Sequence, residues 1–120
     1  MTLAELVRHL DLTVLTPLPE GDAEITRGYV SDLLSDVLGK ATEGALWVTL
    51  QSHPNVIAVA SLLNLAAVII VGGIMPDAAT LERAREASVS VLSTRLPAFE
   101  IVGRLYQLGI RGHEDSCVDG

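Results

Sequence analysis

Residues 46–73 read LWVTLQSHPNVIAVASLLNLAAVIIVGG, in which a helical segment separates two apolar runs. The first run, 46–50, holds β-branched and aromatic residues, and the second, 67–71, is apolar throughout. A continuous apolar run is typical of a central strand in a parallel sheet, because helices cover such a strand on both faces. Residues 54–63, between the two runs, predict the helix that connects the strands.

The same strand-then-helix unit occurs three times, with about 20 residues from one strand to the next. The later elements are a helix over 76–87, a strand over 89–92 and a helix over 97–108. A proline, which suits the first helical turn, begins each of the three helices; these are Pro54, Pro76 and Pro97. This alternation predicts parallel strands with right-handed crossovers. The predicted fold class is therefore α/β, a layered α/β/α domain with a largely parallel central sheet.

The N-terminal segment predicts one helix and two short strands around a loop. Residues 2–10 predict a helix in which Thr2 and Glu5 have the spacing of a capping box. Short strands are expected over 12–15 and 23–25, on either side of a loop that contains two prolines and a glycine.

An apolar periodicity predicts a further helix over 29–39. Its apolar residues fall at helical spacing and form one face: Val30, Leu33, Leu34, Val37 and Leu38. Gly39 is expected to end this helix, and Gly109 to end the last one. We expect residues 1–110 to form a single domain and the polar residues 111–120 to form a frayed tail.

Composition and charge exclude several classes of partner. The formal net charge is −7 and the basic residues are scattered, so we expect no nucleic-acid partner, which requires a basic surface against phosphates. The longest apolar run, 65–71, is too short to span a bilayer, and residues 1–10 lack a signal-peptide pattern. We therefore expect a cytoplasmic protein with no membrane partner. The single cysteine, Cys117, cannot form an intramolecular disulfide.

The residues after each predicted strand are the candidate ligand-binding set, because ligands of open parallel sheets bind beyond the carboxyl ends of the strands. They are Gln51, Ser52, His53 and Asn55 after the first strand, Gly72 and Gly73 after the second, and Thr94 and Arg95 after the third. A further group at the mouth of the same pocket precedes the helix over 29–39: Thr26, Arg27, Gly28 and Tyr29. Together these groups suit a small polar or anionic ligand.

A structural alternative stays open for each of these groups. Ser52 or His53 caps the following helix, and Gln51 satisfies loop backbone. The Gly72-Gly73 pair is a tight strand-to-helix turn, and Arg95 is an ordinary surface arginine.

Motifs for catalysis and metal binding are absent from the sequence. It contains no P-loop, no G-x-S-x-G and no C-x-x-C or H-E-x-x-H, so we predict no catalytic residue, no metal and no cofactor. Asp32 and Asp36 are more typical of a solvated helix face than of a metal site, and His113 with Cys117 is a weak metal-ligand pair. His53 is the one candidate general base at the predicted ligand edge.

Three runs carry a resemblance to a known family: ITRGYVSDLLSDV at 25–37, WVTLQSHPNVIAVA at 47–60 and IIVGG at 69–73. The chain resembles the DRTGG domain, and most closely its stand-alone members, which are related to the HPr kinase N-terminal domain and include hydrogenase-associated proteins. The resemblance implies a layered α/β domain that self-associates and is regulatory rather than catalytic. Gln51-Ser52-His53 stands where other members have an Asp-Arg pair, and Val71 stands where they have threonine before the two glycines.

Three hypotheses about function follow. The first is a non-catalytic regulatory module, a homodimer that binds a small ligand such as an adenine nucleotide. The second is an adaptor or accessory protein for a redox enzyme complex of the hydrogenase type. The third is a small enzyme that uses His53 as an acid or base.

Overall fold

The computed structural model describes residues 1–21 and 23–113, which form five helices and six strands. The helices are α1 (Leu3–Leu10), α2 (Leu34–Lys40), α3 (Asn55–Leu62), α4 (Ala78–Ala87) and α5 (Ala98–Gln107). The strands are β1 (Thr13–Val14), β2 (Arg27–Val30), β3 (Leu46–Thr49), β4 (Ala67–Ile70), β5 (Val91–Ser93) and β6 (Arg111–Gly112).

The six strands form one sheet in the order β1-β5-β4-β3-β2-β6. Every neighbouring pair is parallel except β1 with β5, which is antiparallel at one edge of the sheet. All residues of β3 and β4 are buried, as a central strand covered on both faces requires. The predicted α/β class with a largely parallel sheet is confirmed.

Alternate residues of each central strand contribute to two separate apolar clusters. Trp47 and Val68 pack with α2, α3 and α4 on one face of the sheet. Leu46 and Ile69 pack with α1 and α5 on the other face. The helices therefore form two layers with the sheet between them.

The predicted helix boundaries are correct in part. Thr2 and Glu5 form the expected capping box at the start of α1, and Gly109, with φ +100°, follows the end of α5. Pro54 and Pro97 occupy the residue before their helices rather than the first helical position, and Pro76 lies two positions before α4.

The predicted helix over 29–39 is wrong at its start. Tyr29 and Val30 belong to strand β2, α2 begins at Leu34, and no strand forms over 23–25. Tyr29 pairs with Trp47 and Val30 with Val48, so sheet pairing overrides the local helical periodicity. Leu33, predicted on the buried face, is 63% exposed.

Two further expectations are wrong, one about the residue that ends α2 and one about residues 111–112. Gly39 does not end α2, which continues to Lys40. Residues 111–112 were expected to lie in a frayed tail but form β6, which pairs in parallel with β2. The rest of the tail, including Cys117, lies outside the described residues, so the expectation of a frayed tail stays a prediction for residues 114–120. The longest described helices have ten residues, and none in that part of the chain is long and apolar enough to cross a bilayer.

Candidate functional site

The carboxyl ends of β3, β4 and β5 lie side by side. Thr49 pairs with Ile70, and Ile70 pairs with Ser93, so the loops that follow these strands emerge at the same level. We call this surface the carboxyl edge; it comprises residues 31–33, 50–55, 71–75 and 94–97. It brings together the candidate residues Gln51, Ser52, His53, Asn55, Gly72, Gly73, Thr94 and Arg95.

At this edge the loops after β4 and β5 lead to helices on opposite faces of the sheet. β4 leads to α4, whose Ala84 packs on one face of the sheet, whereas β5 leads to α5, whose Ile101 packs on the other. Neighbouring strands that lead to opposite faces leave a crevice between their loops, which is where open α/β sheets bind ligands.

Gly72 and Gly73 join the loop after β4 to the loop after β5. The Gly72 N–H donates to the Leu96 carbonyl at 2.8 Å, and the Gly73 N–H donates to the Thr94 carbonyl at 3.0 Å. Both glycines have positive φ, +72° and +74°, which side-chain-bearing residues rarely adopt. Both amides therefore donate to the loop after β5. This geometry fits the alternative in which Gly72 and Gly73 form a tight strand-to-helix turn.

Asp32 organises the other half of the carboxyl edge. Its Oδ1 accepts hydrogen bonds from the Thr49 hydroxyl at 2.8 Å and from the Leu50 N–H at 2.7 Å. The Gln51 side-chain amide donates to the Asp32 carbonyl at 2.9 Å, which fits the loop-satisfying alternative for Gln51. Sequence reasoning missed this role because it placed Asp32 inside a helix; assigning 27–30 to a strand would have placed Asp32 at this edge.

Two hydrogen bonds from buried residues fix the loop backbones. The indole N–H of Trp47 donates to the Ser31 carbonyl at 2.9 Å, and the Thr80 hydroxyl of α4 donates to the Ser52 carbonyl at 2.7 Å. Trp47 and Thr80 are both fully buried. Because their donors leave water on folding, these bonds hold the loops after β2 and β3 in one geometry.

His53 lies just before Pro54, the N-cap residue of α3, and accepts hydrogen bonds from the first turn of that helix. Its Nδ1 accepts the Asn55 N–H at 3.1 Å, and its carbonyl accepts the Val56 N–H at 2.9 Å. With Nδ1 engaged as an acceptor, a neutral ring carries its proton on Nε2. The side chains of His53, Asn55 and Arg95 are exposed, and Ser52 is half-buried.

The second candidate group, Thr26 to Tyr29, does not lie at the carboxyl edge. Gly28 pairs with Leu46, the first residue of β3, so Thr26, Arg27 and Gly28 are at the amino ends of the strands. Arg27 donates to the Gly112 carbonyl at 3.2 Å. The expectation that this group joins the others is wrong, because it rested on placing these residues before a helix rather than at the start of a parallel strand.

Tyr29, inside strand β2, bonds to a residue of helix α2. Its hydroxyl donates to Oδ2 of Asp36 at 2.7 Å, and Lys40 pairs with the same carboxylate at 3.1 Å. Burial, followed by the hydrogen bond to Asp36, raises the pKa of Tyr29. The hydrogen bonds from Tyr29 and Lys40 lower the pKa of Asp36.

Comparison with known proteins supports the relationship that the three sequence runs indicate. The family model of the DRTGG domain matches residues 5–108. The chain belongs to the DRTGG domain family. No curated protein sequence matches it.

A solved structure shares the fold of this DRTGG domain. It is the crystal structure of the CBS and DRTGG domains of the regulatory region of Clostridium perfringens pyrophosphatase, complexed with its activator, diadenosine tetraphosphate. The TM-score is 0.70 at 17% sequence identity, and the match covers 91% of this chain. The chain corresponds to 47% of that structure's chain, about half its length.

Asp32 and Asp36, the acidic pair that the sequence places four residues apart, have different partners in the structure. Asp32 binds Thr49 and Asp36 binds Tyr29, so the pair that the sequence suggested is divided between two networks. Within residues 1–21 and 23–113, no group of three His, Cys, Asp or Glu side chains is placed to hold a metal ion. His113 instead accepts the Thr42 N–H on Nε2 at 3.0 Å, and Cys117 lies outside the described residues.

Proposed function

We propose that this DRTGG domain is a non-catalytic regulatory module that binds a small ligand, such as an adenine nucleotide, at the carboxyl edge. The observation that carries the proposal is the fixed geometry of this edge. Asp32 joins the loops after β2 and β3, and Gly72 and Gly73 join the loops after β4 and β5. A surface held in one conformation loses little entropy when a ligand binds.

The exposed groups at the carboxyl edge suit an anionic ligand with an apolar part. Arg95 offers a guanidinium group that matches phosphate or carboxylate oxygens, and Ser52 and Asn55 offer neutral hydrogen-bonding groups. Leu50 and Met75 are 43% and 64% exposed at the same edge. Apolar side chains beside a cation are the combination that a nucleotide's base and phosphates require.

The environment of His53 supports a binding role over a catalytic one. A catalytic base needs a free lone pair directed at a substrate. Nδ1 of His53 accepts a backbone N–H of α3, so its lone pair is not free to act as a base. The diadenosine tetraphosphate bound by the pyrophosphatase regulatory region supports the nucleotide version of the proposal. We further propose that the module is cytoplasmic and acts as a homodimer.

Thermal denaturation and calorimetric titration test this function. Diadenosine tetraphosphate, ATP, ADP and AMP are the ligands, with inorganic phosphate as a control. A ligand at one hundred times its Kd raises the free energy of unfolding by about 2.7 kcal/mol, which gives a clear increase in Tm. Arg95→Gln should weaken binding, whereas Arg83→Gln, an equal charge change in the middle of α4, should not. If no nucleotide raises the Tm at millimolar concentration, the nucleotide proposal fails.

A further inference from the structure

A small apolar recess lies between α5 and the strands β2, β3 and β6. We call it the β6 recess; its volume is about 110 Å³, and its apolar walls include Val30, Val48, Val102, Leu105 and Ile110. None of its lining residues belongs to the carboxyl edge. Because an apolar cavity of about 150 Å³ holds one benzene molecule, the β6 recess has room for a short aliphatic chain.

Two arginines lie beside the β6 recess on neighbouring strands. Arg27 of β2 and Arg111 of β6 are register partners in the sheet, and both residues are exposed. Arg27 donates to the Gly112 carbonyl at 3.2 Å. Arg111 donates to the Tyr106 carbonyl and lies over the Tyr106 ring, 3.8 Å from its centroid. Since Gly112 and Tyr106 both line the recess, both guanidinium groups are held next to it.

No carboxylate offsets these two charges in the part of the chain that the structure describes. The ion pairs there join other groups: Asp36 with Lys40, Glu100 with Arg104, and Glu24 with the N-terminal amine. Like charges directly opposite each other on neighbouring strands are destabilising. An anion bound between Arg27 and Arg111 offsets this repulsion and accepts the guanidinium N–H groups that the backbone carbonyls leave unused.

We propose that Arg27, Arg111 and the β6 recess form a binding site for a small organic anion with a short apolar chain. Its carboxylate or phosphate group binds the two guanidinium groups, whose planar N–H donors match such oxygens. Its chain enters the recess and leaves water. A bare anion leaves the recess empty, and an uncharged apolar molecule leaves the cations unpaired, so the site favours a ligand with both parts. This site is separate from the carboxyl edge and does not depend on the nucleotide proposal.

NMR titration of the whole isotope-labelled chain tests the site, with acetate, butyrate, methyl phosphate and butyl phosphate as probes. We expect butyrate or butyl phosphate to shift the amide resonances of Gly28 and Gly112, which line the recess. Each methylene group that enters the recess should lower the Kd by about threefold to fourfold. Butyramide, which has the chain without the charge, should bind about tenfold more weakly than butyrate, or weaker still. Equal affinity for short and long probes in both series, or no shift at either glycine, overturns the proposal.

Charge-removing variants test the two arginines. Arg27→Gln and Arg111→Gln should each raise the Kd of the tighter probe by about tenfold. Arg83→Gln is the matched control, since Arg83 is an exposed arginine of α4, on the opposite face of the sheet, and this variant should keep the wild-type Kd. Unchanged affinity in both test variants, or an equal loss in the control, overturns the proposal.

Filling the β6 recess tests its apolar part. Val102→Phe adds volume to its wall and should remove the difference in affinity between the short and long probes, while the anionic group still binds. The dispersion of the amide resonances shows whether this variant is folded, and the arginine variants decide the outcome if it is not. A folded Val102→Phe that keeps the full dependence on chain length overturns the proposal.

Discussion

Oδ1 of Asp32 lies 2.8 Å from the hydroxyl of Thr49 and joins the loop after β2 to the end of β3. The same oxygen accepts the Leu50 N–H, and Thr49 is buried. This contact connects two of the loops that form the carboxyl edge, so the geometry of the proposed ligand site depends on it.

Replacing Asp32 with alanine leaves the Thr49 hydroxyl and the Leu50 N–H without this acceptor. We expect a loss of about 1–3 kcal/mol in the free energy of unfolding, measured by urea denaturation, and weaker ligand binding. Asp32→Asn keeps an oxygen at the same position and should lose less. Asp77→Ala, at a helix start where the side chain forms no capping hydrogen bond, is the control and should lose less than Asp32→Ala. Equal losses in the two alanine variants would show that the contact contributes nothing.

Trp47 combines core packing with a hydrogen bond to the Ser31 carbonyl, and the two contributions can be separated. Trp47→Ala should cost about 3–5 kcal/mol because it empties a fully buried site. Trp47→Phe keeps most of the volume but removes the donor, so its loss should be smaller while ligand binding still weakens. Circular dichroism monitors unfolding, since these variants lack the single tryptophan. Full ligand affinity in Trp47→Phe would contradict a role in holding the edge.

Alanine should lower the stability at Gly72 and Gly73 and raise it at Gly39. Gly72→Ala forces a side chain into positive φ and brings its Cβ to 3.1 Å from Leu50, so it should destabilise most. Gly73→Ala meets open space and should cost about 1–2 kcal/mol from the backbone conformation alone. Gly39→Ala, inside α2 with open space around it, should stabilise by about 0.5–1 kcal/mol. Thermal denaturation of the three variants provides the ranking, and any other order contradicts the turn geometry.

The pair of Tyr29 and Asp36 should make stability depend on pH in two ranges. The lowered pKa of Asp36 means that the unfolded chain takes up a proton first as the pH falls below about 4, so stability decreases there. The raised pKa of Tyr29 means that the unfolded chain loses its proton first above about pH 10, so stability decreases there as well.

Asp36→Asn isolates the acid-side effect. The difference in unfolding free energy between the wild type and this variant should be larger at about pH 7 than at about pH 3, where Asp36 of the unfolded chain is mostly protonated. Urea denaturation at both pH values measures this difference. A difference that stays constant over this range would contradict the contribution of Asp36.

The three strand–helix units from Leu46 to Gln107 are predictable from the sequence because their signals are local. Buried strands β3 and β4 need continuous apolar runs, and prolines close to the helix starts mark the ends of the loops. The placement of Gln51–Asn55, Gly72-Gly73 and Thr94-Arg95 at one edge follows from parallel topology alone. Their proposed role in ligand binding stays a prediction.

Tertiary structure alone decided the conformation of the segment from Arg27 to Asp32 and the formation of the C-terminal strand β6. Val30, Leu33 and Val37 have helical spacing, but pairing of β2 with β3 and β6 on either side stabilises an extended backbone that this spacing does not predict. The amino acid sequence by itself thus determined the α/β architecture and three of the loops at the carboxyl edge. Only long-range pairing moved Thr26–Tyr29 away from that edge and brought Asp32 into it, because a strand's neighbours are set by residues distant in the chain.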